Sequence, residues 1–295
     1  MGRGEGQLKR PRLDLATPGL LGLPLAWLAA FFIVPIAIVG AYSVDALSIV
    51  PGKHPLTLDG WRDLLHGSVY LGLFWKSMKM SLVVSGVVVV LAYPLAYFLA
   101  FSGTKRKYVL LLILIAPFLT SYLLRVLAWK VILGSQGVVN TFLVWIGLRS
   151  PDDPISALLY SRFAVMLVLA YIWLPFVALP IFVSLESLDT RLLEAASDLG
   201  ATRWQAFLRI TLPLSLPGIV AAFLFIFIPT VGEFVTPSLV GGTSGYMYGN
   251  QISDLFGTGF PDWRTGSVLA LFLLAVVVPL TVVFARVSRT ERVAH

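Results

Sequence analysis

Runs of about twenty apolar residues recur along this chain, and they constrain it more than any other feature. A helix of that length crosses the ~30 Å hydrocarbon core of a bilayer. The runs fall at roughly 20–43, 78–101, 108–127, 162–183, 216–236 and 266–286. Charged residues make up only 13% of the chain and hydrophobic ones 58%, against about 25% charged in soluble domains. The fold expected is an all-α membrane protein of six transmembrane helices. Prolines interrupt most runs (Pro24, Pro35, Pro94, Pro117, Pro175, Pro180 and Pro229). In a bundle, neighbouring helices re-satisfy the carbonyls that such kinks release.

The first residues, MGRGEGQLKRPRLDLATPG, are basic and precede an apolar run. That run, from about Leu20 to Tyr42, exceeds the ~7–15 apolar residues of a secretory signal, so a retained signal-anchor helix is expected. Placing the N-terminus inside puts thirteen of the 22 lysines and arginines on the inner side. Three of them are packed into the tiny loop TKRK (Lys105, Arg106, Lys107). The positive-inside rule then makes both termini cytoplasmic. The expected organisation is a basic tail over 1–19, a six-span unit over 20–286 with a cytoplasmic loop at 184–215, and a cytoplasmic tail over 287–295. On the other side, DPISALLYSRF and GNQISDLFGTGFPDW mix aromatics, glycine and acids, as short interfacial or re-entrant pieces do.

Several kinds of chemistry are missing. There is no cysteine, so disulfides and thiolate sites are excluded. His54, His66 and His295 are scattered without metal-ligand spacing, and no G-x-x-x-x-G-K-[ST] phosphate loop or G-x-S-x-G elbow occurs. A membrane enzyme fits poorly. An ion-coupled secondary transporter calls for intramembrane carboxylates and often a paired repeat. The sequence offers no repeat of 20–50 residues and no charge near a span centre.

One polar island stands between runs four and five: EAASDLGATRWQAFLRITLP, Glu194–Pro213. Leu192, Ala195, Ala196 and Leu199 form an i, i+3, i+4, i+7 stripe, with Asp189 or Thr190 as cap and Gly200 as the αL stop. Thr202 and Gln205 fit a capping box for a second helix, striped by Trp204, Phe207 and Leu208, with Pro213 marking its end. An amphipathic loop lying on the membrane has the same pattern. Two alanines in the stripe, where lipid anchoring favours bulky side chains, allow a partner surface to come close instead.

With Glu194, Ala195, Ala196, Gly200, Ile210, Leu212 and Pro213 at fixed offsets, the island resembles the EAA motif of permease subunits in binding-protein-dependent ABC importers. The resemblance implies the type I ABC importer permease fold, with a coupling helix between spans four and five seated in a groove of a separate ATPase. Glu194 then meets a basic group, Ala195 and Ala196 permit close packing, Gly200 permits the bend, and Asp198 and Arg203 complete the ATPase-coupling set. It also implies an ABC ATPase dimer carrying ATP and Mg²⁺, a second permease subunit, and an extracytoplasmic solute-binding protein. No cofactor is bound by this chain, and lipid rather than nucleic acid surrounds it in a bacterial cytoplasmic membrane.

APFLTSYLLRVLAW (116–129), YPLAYFLA (93–100), GVVNTFLVWIGL (137–148), GEFVTPSLVGG (232–242), GNQISDLF and DWRTGS extend the likeness to the polyamine (spermidine/putrescine) branch. Branches for ferric iron, opines and phosphonates share parts of them. For the substrate pathway, Glu233 beside Phe234 suits an organic cation through ion pairing and cation–π contact. Glu233 is equally able to sit at the interface or pair with an arginine. Asp254 and Asp262 are further acids on that side.

Overall fold

The computed structural model describes residues 16–47, 55–102, 107–150, 153–155, 158–257 and 261–293. Residues 1–15 of the expected basic tail lie outside them, as do Lys105, Arg106, His54 and His295. Among the described residues all regular structure is helical. In chain order the helices are α1 (Ala16–Ser43), α2 (Asp59–His66), α3 (Ser68–Phe101), α4 (Lys107–Ile115), α5 (Tyr122–Leu133), α6 (Val138–Trp145) and α7 (Arg162–Glu186). Then come α8 (Thr190–Asp198), α9 (Arg203–Ala206), α10 (Leu212–Val231), α11 (Val235–Val240), α12 (Gly242–Gly245), α13 (Tyr248–Gly257) and α14 (Trp263–Val293).

Among the described residues six segments are long and apolar enough to span a membrane: Gly22–Ser43, Val69–Phe101, Tyr122–Trp145, Arg162–Glu186, Arg203–Val231 and Trp263–Phe284. The number matches the sequence expectation, but the fifth begins earlier, at Arg203 rather than near 216, and the second and third also change. Helix α3 begins at Ser68 rather than near 78, so Lys76, which precedes the expected run, lies about two turns inside the helix and Lys79 about three. The run at 108–127 is not one helix. A 3₁₀ turn spans Ala116–Leu119 and Thr120 is extended, with ψ 155°. Pro117 lacks the N–H that a continuing α-helix needs and disfavours the α conformation at the residue before it. Regular helix resumes as α5, which carries Arg125 inside the span. Lys76, Lys79 and Arg125 therefore lie within spans, a placement that the sequence reading, which found no charge near a span centre, did not give them. Hydropathy averaged over a window registers neither the break nor the single cations.

Helices α3, α7 and α10 form the centre. Val84, Val88, Ala92 and Ala96, spaced four apart, make a buried stripe on α3 that meets Ala164, Val168, Ile172 and Ile181 of α7. Gly218 of α10 allows the closest approach, because a Cβ there would stand 2.3 Å from the Ser184 side chain. Helix α1 packs on α14 and leaves Trp27, Phe31 and Phe32 exposed. In lipid such a surface needs no cover, since acyl chains are as apolar as the side chains.

Candidate functional site

The EAA island joins the end of α7 to the start of α10. Asp189 caps α8 by accepting from the Arg191 N–H at 3.0 Å. The helix closes with Gly200 at φ +82°, where the Ala201 N–H reaches the Ala196 carbonyl and the Gly200 N–H the Ser197 carbonyl, both at 2.9 Å. This pair of bonds is a Schellman motif, and its αL residue is inexpensive only as glycine. Thr202 and Gln205 then exchange both bonds of a capping box: Gln205 N–H to Thr202 Oγ1 at 3.3 Å, Thr202 N–H to Gln205 Oε1 at 2.9 Å. The Schellman motif and the capping box hold the corner between α8 and α9, and Asp189 holds the far end of α8, all three caps being local in sequence.

Pro213 does not end this second helix. Helix α9 runs through a π turn at Phe207–Thr211 directly into α10. The Leu212 N–H bonds to Phe207 O, five residues back, so the helix takes up one extra residue ahead of the proline. The island is thus a rigid extension of span five.

The stripe read from sequence faces mostly away from the body. Leu192 is 47% exposed and Leu199 88%, and Ala195 is exposed while Ala196 alone is buried. Glu194, Asp198 and Arg203 are exposed too, and Gly200 turns the corner between α8 and α9. Leu193, partly buried, and Ser197, exposed, line an open hollow of about 310 Å³ with Tyr97, Arg203, Phe207 and Thr211. A second hollow, about 360 Å³, opens between Leu199, Gly200, Gln205 and Arg209. Sequence reasoning missed Leu193 and Ser197 because periodicity gives a helix's apolar face without saying what covers it.

At the same end, the Lys107 ammonium pairs with the Glu186 carboxylate. That hydrogen bond holds the lysine above its ordinary pKa, so it stays cationic at the start of α4.

The opposite end of α10 holds the acids singled out for the substrate pathway. Glu233 is half-buried, and its Oε1 accepts from the Val235 N–H at 2.9 Å and the Thr236 N–H at 3.2 Å. It caps α11, a role the sequence reading did not consider. The side chain of Thr236, whose N–H Glu233 holds, lies 2.6 Å from the Tyr122 hydroxyl through its Oγ1. Phe234 is 45% exposed, and its carbonyl accepts from Asn250 Nδ2 at 2.9 Å. Asp254 accepts from the Tyr246 hydroxyl at 2.6 Å. Burial, reinforced by Asp254, pushes the Tyr246 phenol above its ordinary pKa. The stretch read as re-entrant or interfacial contains α13, which packs on α14 and α3. Asp262 caps the next helix through Thr265 N–H at 3.0 Å. No group of three or more acids or histidines suited to a metal occurs among the described residues.

Long side chains pin this hairpin to the bundle. Lys76 donates to the Tyr246 carbonyl at 2.8 Å, Arg162 Nε to the Ser244 carbonyl at 2.9 Å, and the Tyr248 N–H to Ser77 Oγ at 2.7 Å. Asn250 also bonds Ser238 and receives the Met247 N–H. Gly249 is required here, because a Cβ would meet the Gly232 carbonyl oxygen at 2.4 Å.

A polytopic helical core with a capped island between its fourth and fifth spans defines a transport permease. Residues 89–290 match the family described as binding-protein-dependent transport system inner membrane component, and the chain belongs to that family, a multi-pass membrane translocation subunit. It is 37% identical over 268 residues to the spermidine/putrescine transport system permease protein PotB of Escherichia coli (strain K12), covering 90% of this chain and 95% of that one. Identity to the protein of the same name from Haemophilus influenzae is 34% over 267 residues, covering 90% and 91%. Among solved structures, a chain of a bacterial alginate ABC transporter, in complex with an alginate pentasaccharide-bound periplasmic protein, superposes with TM-score 0.69. It covers 94% of this chain and 95% of that one at 20% identity, a likeness that shows the shared fold.

Proposed function

We propose that this chain is one permease of a polyamine-importing ABC transporter, driven by a separate ATPase that docks on the EAA island. The observation that carries the substrate class is the likeness to the spermidine/putrescine permeases over nine tenths of the chain. In this reading a periplasmic binding protein delivers the polyamine to the 233–257 end, and a second permease completes the pathway. ATP and Mg²⁺ act on the partner subunits, and both termini are cytoplasmic. Glu194, Ala195, Ala196, Asp198 and Arg203 form the docking surface, with Gly200 turning its corner. A docked element transmits force only if it is stiff, and three caps plus a continuous helix into α10 supply that stiffness.

The test is reconstitution of the complete importer in proteoliposomes with labelled spermidine outside. Uptake that needs both internal ATP and the binding protein is expected. Uptake that instead follows an ion gradient, or that favours a neutral or anionic solute, contradicts the proposal.

A further inference from the structure

Arg125 lies three residues after Tyr122 in α5, inside a membrane-spanning segment. Its guanidinium carbon is 4.4 Å from the centroid of the Phe118 ring and 6.0 Å from that of Tyr122. Its Nε and Nη1 are buried without a hydrogen-bond partner among the described residues. With those donors buried, that part of the guanidinium is covered by protein rather than by lipid. The Phe118 face therefore carries a cation within the protein.

Phe118 starts a series of rings drawn from three separate elements. It meets Phe176 of α7 at 4.4 Å and 79°, and Phe176 reaches Phe225 of α10 at 6.0 Å. Trp173 stands 5.8 Å from Phe176 and at 87° to Phe225. Phe225 is 53% exposed, and the Trp173 indole N–H is buried without a partner among the described residues. The contacts at Phe118–Phe176 and Trp173–Phe225 are near right angles and the other two are tilted, by 57° and 40°, so the rings turn faces in several directions, and a cation is held over such a face. Packing alone accounts for the rings, but not for a cation with unpartnered donors resting on the first of them.

We propose that Phe118, Phe176, Trp173 and Phe225 form a cation-binding track of the translocation pathway, with Arg125 as its tethered occupant at rest. The ammonium groups of an organic cation take the guanidinium's place on the rings during passage. The break at 116–121 is what presents Phe118 to this track, because the interrupted span turns its ring toward Arg125 and α7. The proposal rests on the reading of the chain as a polyamine permease.

The experiment uses the complete importer in proteoliposomes and records spermidine import and ATP hydrolysis side by side. Phe118→Leu and Phe225→Leu keep apolar bulk but remove the ring. Each is expected to lower import about tenfold while ATP hydrolysis stays within twofold, and Phe118→Tyr is expected to import normally. Unchanged import in both leucine variants overturns the track. So does a parallel loss of import and hydrolysis with no rescue by tyrosine, since that is the signature of a packing defect. Spermidine import by the wild-type complex that both leucine variants retain in full removes the track alone. A wild-type complex that carries no organic cation removes the polyamine reading and the track together.

Discussion

The two ends of α10 are built on opposite principles. The EAA island is held by caps whose partners lie within five residues of each other, and it presents Leu192, Glu194, Ala195 and Leu199 outward. The hairpin from Glu233 to Gly257 is held from afar: Lys76 and Ser77 lie about 170 positions from their bonding partners and Arg162 about 80. The first design yields a stiff element with exposed side chains, suited to a docked partner. The second ties a loop into the bundle, so that it moves only when α3 or α7 moves.

Substitutions that separate local from distant restraint sharpen this contrast. The largest effect is expected for Gly249→Val, which drives side-chain atoms into the Gly232 and Glu233 carbonyls. Overpacking of this kind costs about 1–3 kcal/mol and sometimes more, so the protein level in membranes and the thermal midpoint should both fall sharply. Next comes Lys76→Met, which leaves the Tyr246 carbonyl without its charged donor and costs about 1–3 kcal/mol. Hydrogen exchange should rise over 244–250 and stay unchanged over 190–205; a rise at both ends would abolish the distinction drawn here. Thr202→Ala removes one half of the capping box and costs about 1 kcal/mol. Its faster exchange should be confined to 202–206, with the hairpin untouched. The smallest change in stability is expected for Glu233→Gln, whose amide oxygen still accepts from Val235 and Thr236. Uptake should nonetheless fall at normal protein level, because the charge is gone while the cap remains. Normal uptake in that variant would assign Glu233 to capping alone.

The same contrast explains what was legible in the sequence. The caps at Asp189, Gly200 and Thr202 could be read because each depends on a few neighbouring residues with specific hydrogen-bonding chemistry. The number of spans could be read because the bilayer sets a length. The pins at Lys76 and Arg162 could not, since nothing in the sequence tells a lysine which carbonyl it will meet in another helix. Hydropathy placed Lys76, Lys79 and Arg125 in loops or passed over them, because one cation barely lowers a window average. Glu233 drew notice as an intramembrane acid. Its capping role emerged only with the short helix α11, whose six residues carry too little pattern to register.

The central claim is that the exposed face of α8 is where a separate ATPase docks. Glu194 is exposed and α8 is held by its caps, so Glu194→Lys should leave the thermal midpoint of the purified permease unchanged. Co-purification of the ATPase from membranes that contain the whole importer measures the docking directly. The account predicts that the ATPase is lost and spermidine uptake with it. Full retention of both in the charge-reversed protein would contradict it.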